Sequence, residues 1–152
     1  MTSPSDAGNA APGSPGRPLP RPSPVSQPFW EGTKARELRL QRCRDCGRHI
    51  FYPRSLCPFC LSESLDWTLA GGRGKVYSYT VVRRAAHPAF RDDVPYVLAI
   101  VELEEGPRLT TNIVNCAPED VRVDMPVTAT YDDITPEITL LKFEPLLGPE
   151  TT

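Results

Sequence analysis

From Leu38 onward apolar and polar residues mostly alternate with a period of two, and helical periodicity is scarce. Leu38 and Leu40 alternate with Arg39 and Gln41, which predicts a strand running into Cys43. His49 to Tyr52 reads as the return arm of a hairpin, and Trp67 and Leu69 close this first unit. From Gly71 the strand signals lengthen. Lys75 to Arg84 (KVYSYTVVRR) is rich in β-branched and aromatic residues. Tyr96 to Leu103 (YVLAIVEL) is almost continuously apolar, as expected of a central strand. Glu104-Glu105-Gly106-Pro107 is a turn, and Arg108 to Val114 follows at hairpin distance. Asp120 to Val123 is short and ambiguous, while Val127 to Tyr131 and Leu140 to Phe143 finish the series. Five or so strands with short turns predict a small closed β-barrel, with the OB-fold the natural candidate. No crossover helices are available for parallel βαβ units. One short helix is predicted from Pro28 through about Ala35–Leu38, weakened by Gly32. Phe29 and Trp30 stand outside any periodic core pattern. They are expected to pack within an assembly, on this chain or on a partner.

The cysteines add chemistry to the first unit. Cys43, Cys46, Cys57 and Cys60 are spaced C-x2-C, ten residues, C-x2-C. A C-x2-C turn can aim two thiolates at one ion, and two such turns complete a tetrahedral S4 site. Gly47 supplies a permissive backbone at the first turn, and Pro58 presets the second. Two disulfides are the alternative, but they need an oxidising compartment. The N-terminus shows no apolar signal-peptide core, and no apolar run reaches the roughly 18 residues of a membrane span. A cytoplasmic protein is expected, with a structural zinc ion. Iron takes the same four ligands; the short hairpin and the want of a redox-partner motif favour zinc. Cys116 is left over, and its apolar flanks suit core filling better than nucleophilic chemistry.

Composition divides the chain. The first 28 residues hold 8 of the 18 prolines and few large apolar side chains. Residues 1–27 are therefore expected to be a disordered, mobile tail, with 28–70 forming helix and ribbon, 71–147 the barrel, and 148–152 a short C-terminal tail. Pro18-Leu19-Pro20-Arg21-Pro22 has the composition that docks on polyproline-binding grooves, although a solubilising tail is the ordinary reading. The net charge of −2 hides an asymmetry. Residues 34–54 carry seven Lys or Arg against Glu37 and Asp45, and residues 101–152 carry eleven acids against three bases. Basic side chains beside a tetrathiolate offset its negative charge. The acidic second half argues against nucleic acid covering the whole surface.

In order and spacing, several segments resemble a known family. These are PFWEG (28–32), LRLQRC (38–43), the four cysteines, GRGKVYSYTVV (72–82), PYVLAIVELEEGPRLTTNIV (95–114), MPVTATYDDIT (125–135) and KFEP (142–145). Together they look like the acyl-CoA-associated proteins that join a rubredoxin-like zinc ribbon to an OB-fold, long catalogued as a domain of unknown function. Leu61 and Asp124 depart from the pattern, standing where glycine is common. The resemblance implies a mainly β fold, a short N-terminal helix, and a role as small subunit of a partner enzyme. Such partners are thiolase-like or lipid-transfer-protein-type enzymes, including aldolases of steroid side-chain degradation. The partner then carries catalysis, and the small subunit stabilises it and helps shape its acyl-CoA channel.

Three classes of function compete. The first is this accessory subunit, with no catalytic residue of its own. Arg73, Lys75, Arg83 and Arg84 are then the candidates for CoA phosphates, unless they are ordinary solvated strand ends. The second is a single-stranded nucleic-acid-binding module. Tyr77 and Tyr79 would share a strand face by the period of two, beside the same basic residues. The third is an autonomous enzyme. His49 and His87 lack a partner in sequence, and Asp92-Asp93, Glu104-Glu105 and Asp132-Asp133 fall at turns. An S4 site also leaves no open metal position for water or substrate.

Overall fold

Pro28 occupies the first turn of helix α1 (Gln27–Lys34), where a missing N–H costs nothing. The computed structural model describes residues 17–146. Gly32 does not break α1. A Cβ there would lie 2.9 Å from both the Arg39 Cγ and the Glu37 carbonyl oxygen, so glycine lets the returning chain approach. The helix stops before the predicted Ala35–Leu38 because Arg36 turns left-handed (φ 63°) and Glu37 donates its N–H back to the Gly32 carbonyl at 2.8 Å.

The first sheet has three strands, β1 (Arg39–Cys43), β2 (His49–Ile50) and β3 (Leu65–Leu69), in the order β2-β1-β3. The rest is the closed barrel. Its strands are β4 (Arg73–Val82), β5 (Tyr96–Leu103), β6 (Arg108–Ile113), β7 (Pro126–Asp133) and β8 (Thr139–Pro145), closed in the order β4-β5-β6-β8-β7. Among the described residues only the β6–β8 pairing is parallel, which closes the five-stranded OB topology. β5 is central between β4 and β6, but it is not buried on both faces. Val97, Ala99, Val101 and Leu103 point inward, whereas Leu98 and Ile100 are exposed. The ambiguous stretch near Asp120 is a 3-10 turn at Pro118–Asp120.

Helix, ribbon and barrel share one core. Phe29, Leu38 and Leu40 join Val76, Val101, Val127 and Phe143, with Trp30, Phe51 and Trp67 packed on its rim. Phe29, only 6% exposed, meets Trp30 and Phe51 edge-on at centroid distances of 5.1 and 5.4 Å. Phe29 is thus internal packing rather than an outward anchor. A second small cluster, Cys43, Ile50 and Cys57 with Leu65, surrounds the sulfurs.

The proline-rich segment differs from the expected tail. From Arg17 onward it lies against the barrel. Arg17 Nη2 donates to Asp93 at 2.7 Å and to the Ala89 carbonyl at 3.2 Å, and its guanidinium sits 4.9 Å from the Phe90 ring centre. Prolines restrict the unfolded chain, so ordering this stretch costs less entropy than composition alone suggests. Residues 1–16 of the expected N-terminal tail, the expected C-terminal tail 148–152 and residue 147, the expected end of the barrel, lie outside the described residues. Among the described residues no helix is long and apolar enough to cross a membrane.

Candidate metal centre and its surroundings

Two short loops of the same shape build the site. In the first, Cys43 N–H donates to the Arg48 carbonyl (3.0 Å) and Gly47 N–H to the Cys43 carbonyl (2.9 Å). In the second, Cys57 N–H donates to the Ser62 carbonyl and Leu61 N–H to the Cys57 carbonyl, both at 2.9 Å. Gly47 and Leu61 occupy equivalent left-handed positions, at φ 80° and 66°. Backbone N–H groups point at sulfur, from Cys46 to Cys43 Sγ and from Phe59 to Cys57 Sγ, each at 3.4 Å. Buried Cys43 and Cys57 alternate with exposed Cys46 and Cys60.

All four Sγ atoms lie within 4.8 Å of one another, and the Cys43–Cys60 and Cys46–Cys57 pairs stand 3.5 and 3.6 Å apart. Tetrahedral Zn–S bonds of about 2.3 Å place sulfurs roughly 3.8 Å apart, so the cluster has the right size. Its electrostatics ask for a cation. The Cys46 N–H and other hydrogen bonds hold the Cys43 thiol down to about 6. For Cys60, the Ser62 N–H acts downward, but Cys43, burial and the other two sulfurs outweigh it and push it up to about 12. Four sulfurs this close cannot all ionise unless a metal ion shares their charge. Four thiolates also fill a tetrahedral shell, leaving no position for substrate.

The basic residues around the ribbon are largely engaged. Arg44 forks onto Asp66 at 2.8 and 2.7 Å, tying β1 to β3 and lowering the Asp66 pKa. Arg42 donates to the Gly47 carbonyl, and Arg48 stacks 4.5 Å from the Phe59 ring centre. Arg36 forks onto Asp133 at 2.8 and 2.6 Å, clamping the end of α1 to β7. This guanidinium and the Thr139 hydroxyl hold the Asp133 carboxyl well below its usual range. The basic stretch is therefore mostly internal bracing.

The four residues proposed for CoA phosphates do not converge. Arg73 and Lys75 open β4, while Arg83 and Arg84 follow its last residue. At about 3.3 Å per residue, Lys75 and Arg83 stand roughly 25 Å apart. Lys75 also lies 3.7 Å from Glu102 and 3.8 Å from Asp124. The two tyrosines of the expected platform are exposed, but their strand is irregular. The β4–β5 register shifts between Val76 and Ser78, leaving Tyr77 as an extra residue. Tyr79 then pairs with inward-facing Ala99, while the Tyr77 ring is covered by Arg108 at 3.8 Å.

The candidate acids and bases hold structure together. His87 Nδ1 accepts the Ala89 N–H, capping the Pro88–Phe90 turn. Asp93 holds Arg17, Glu105 accepts the Gly71 N–H at 2.9 Å, and Asp132 binds Lys142 at 2.7 Å. His49 lies in β2 and lines a cavity of about 410 Å³ with Glu105. Cys116 packs half-buried on the core, and burial raises its thiol pKa, the opposite of activation. The Arg36–Asp133 and Arg17–Asp93 clamps were not legible in the sequence. Their partners lie 97 and 76 residues apart, and no local pattern links them.

Residues 30–66 match the family described as "ChsH2, rubredoxin-like zinc ribbon domain", and residues 67–132 match "ChsH2, C-terminal OB-fold domain". A "DUF35 domain-containing scaffold protein" of Methanocaldococcus jannaschii is 45% identical over 104 residues, covering 67% of this chain and 73% of that protein. The chain belongs to the ChsH2/DUF35 family. Its ribbon is accordingly a structural zinc site. Another family relative, the "Probable enoyl-CoA hydratase alpha subunit" of Thermomonospora curvata, is 42% identical over 134 residues. That match covers 86% of this chain but only 41% of the relative, so the chain spans about two fifths of its length. The solved "Ltp2-ChsH2(DUF35) aldolase" superposes with a TM-score of 0.74 at 41% identity, covering 84% of this chain and 98% of the matched one.

Proposed function

We propose that this ChsH2/DUF35 chain is a non-catalytic accessory subunit of a cytoplasmic acyl-CoA enzyme. It binds and stabilises a thiolase-like partner of the lipid-transfer-protein type, a thiolase or retro-aldolase of lipid or steroid side-chain degradation. It also helps form that partner's acyl-CoA site. The observation that carries this reading is the likeness, along almost a whole matched chain, to the ChsH2-bearing aldolase. The chemistry agrees. The zinc shell is closed, and His87 and one member of each acid pair are committed to caps and clamps. Of the four basic candidates only Lys75 lies near carboxylates among the described residues, and Arg83 and Arg84 are adjacent in the chain, so they are the pair we assign to CoA phosphates.

Obligate interfaces are large and apolar. Phe29 and Trp30 pack on this chain's own core, whereas the ribbon leaves Tyr52, Leu56, Phe59 and Leu61 exposed, and these form the contact surface we propose. The test is co-expression with a thiolase-like candidate, followed by size-exclusion chromatography and an acyl-CoA turnover assay. The chain alone is expected to show no turnover, and the pair to co-elute with the partner more soluble and active. Phe59→Asp is expected to weaken co-elution with zinc content unchanged. A partner fully active alone that never co-elutes sinks the proposal. Tight binding of a single-stranded oligonucleotide would point instead to nucleic-acid recognition.

A further inference from the structure

In an OB barrel, ligands bind on the face of the second and third strands, between the loop joining strands one and two and the loop joining strands four and five. Here that face is formed by β5 and β6, flanked by residues 83–95 and 134–138. It carries a cavity of about 610 Å³ whose lining includes Phe90, Asp93, Tyr96, Leu98, Asn112 and Lys142. Arg17, Pro18 and Pro20 of the chain's own N-terminal segment line the same cavity. A neighbouring cavity of about 430 Å³ runs on towards Trp30 and Tyr52. Pro20 and Leu140 border both, so the segment crosses one long groove and divides it.

We propose that this groove is a docking site for an extended proline-rich segment, and that its resident occupant is the chain's own Arg17–Pro22. Residues 17–22 carry no regular secondary structure, and alternate prolines at 18, 20 and 22 favour the extended polyproline conformation. Such segments are recognised by aromatic-lined grooves at low entropic cost. Phe90, Tyr96, Trp30 and Tyr52 supply the aromatic walls. Charge sets the direction. Arg17 at one end meets the Asp93 carboxylate, the Ala89 carbonyl and the Phe90 face. At the other end the Ser23 and Ser26 hydroxyls and backbones bond to each other, and Gln27 N–H donates to the Ser23 carbonyl at 2.8 Å. The segment is thus a strap tied to the barrel at Arg17 and continuous with α1 at its other end, and it lies across the β5–β6 face. The inference stands apart from the identity of the partner enzyme.

The experiment uses the zinc-loaded full chain and a fluorescein-labelled peptide of residues 14–25, read by fluorescence polarisation. The wild-type groove is occupied and binds the peptide weakly. Arg17→Glu sets a second carboxylate against Asp93 and loosens the strap, so this variant is expected to bind the peptide about tenfold more tightly than wild type. Asp93→Arg also loosens the strap but repels the peptide's arginine, so it should show no such gain. In Arg17→Glu the peptide should shift the backbone amides of Leu98 and Asn112 in heteronuclear NMR spectra. Equal affinity of wild type and Arg17→Glu, an equal gain in Asp93→Arg, or shifts confined to regions away from β5 and β6 would overturn the proposal.

Discussion

Leu61 holds the left-handed position that Gly47 fills in the sister loop (φ 66° against 80°), and its side chain is 71% exposed. An L-residue with a Cβ pays about 1–2 kcal/mol there, and almost no packing offsets it. Leu61→Gly is therefore expected to stabilise the second loop by about 1 kcal/mol, less the backbone entropy glycine adds to the unfolded chain. Slower zinc loss to a chelator, with a raised melting temperature, is the measurement. A faster loss would mean that the backbone freedom glycine adds to the unfolded chain outweighs the strain it relieves. Asp124, the other departure from the family pattern, also sits left-handed at φ 69°. Both positions stood out in the sequence as departures from the pattern the family resemblance implies. The strain itself became visible only with the backbone angles.

Among the elements, the ribbon exists because four sulfurs converge on loops that two short arms present. Around the sulfurs the apolar cluster amounts to Cys43, Ile50 and Cys57 with Leu65, too little to hold the two cysteine loops, while Leu40 and Trp67 belong to the core shared with the barrel. Metal binding must then contribute folding free energy directly. Cys57→Ser is expected to abolish stoichiometric zinc and disorder the cysteine loops, residues 43–62, seen as loss of amide dispersion there. Cys116→Ser should keep zinc at one per chain, because its sulfur only packs on the barrel core. Full zinc content in Cys57→Ser would remove it from the ligand set. The strand positions were readable from period two and β-branched runs. The bulge at Tyr77 was not, because an extra residue in one strand is defined only by the register of its neighbour.

Across the molecule, the deciding fact is that helix, ribbon base and barrel share one core. Phe29 is its contribution from α1, wedged between Trp30 and Phe51. Phe29→Ala is expected to cost about 3–5 kcal/mol. It should lower the stability of ribbon and barrel together, as one cooperative transition. Chemical denaturation followed by Trp fluorescence and by zinc release checks this. Two separated transitions would mean that the units fold independently. Aromatic side chains near an N-terminus look like interface anchors because nothing local buries them. Here the burying groups come from Leu38, Leu40 and the barrel.

Spacing and period were enough to specify the metal ligands, the strand order along the chain and the mainly β architecture. These are local properties that survive without coordinates. Which charges meet was set by the folded chain, and no local pattern announced it. Arg73 and Lys75 were separated from Arg83 and Arg84 by the length of β4. Arg36 and Arg17 were assigned to Asp133 and Asp93 across 97 and 76 residues. The proline-rich segment became a strap because Asp93 and Phe90 wait on a distant loop. Contacts of that separation are set by how the sheet closes, and closure belongs to the fold as a whole rather than to any stretch of chain.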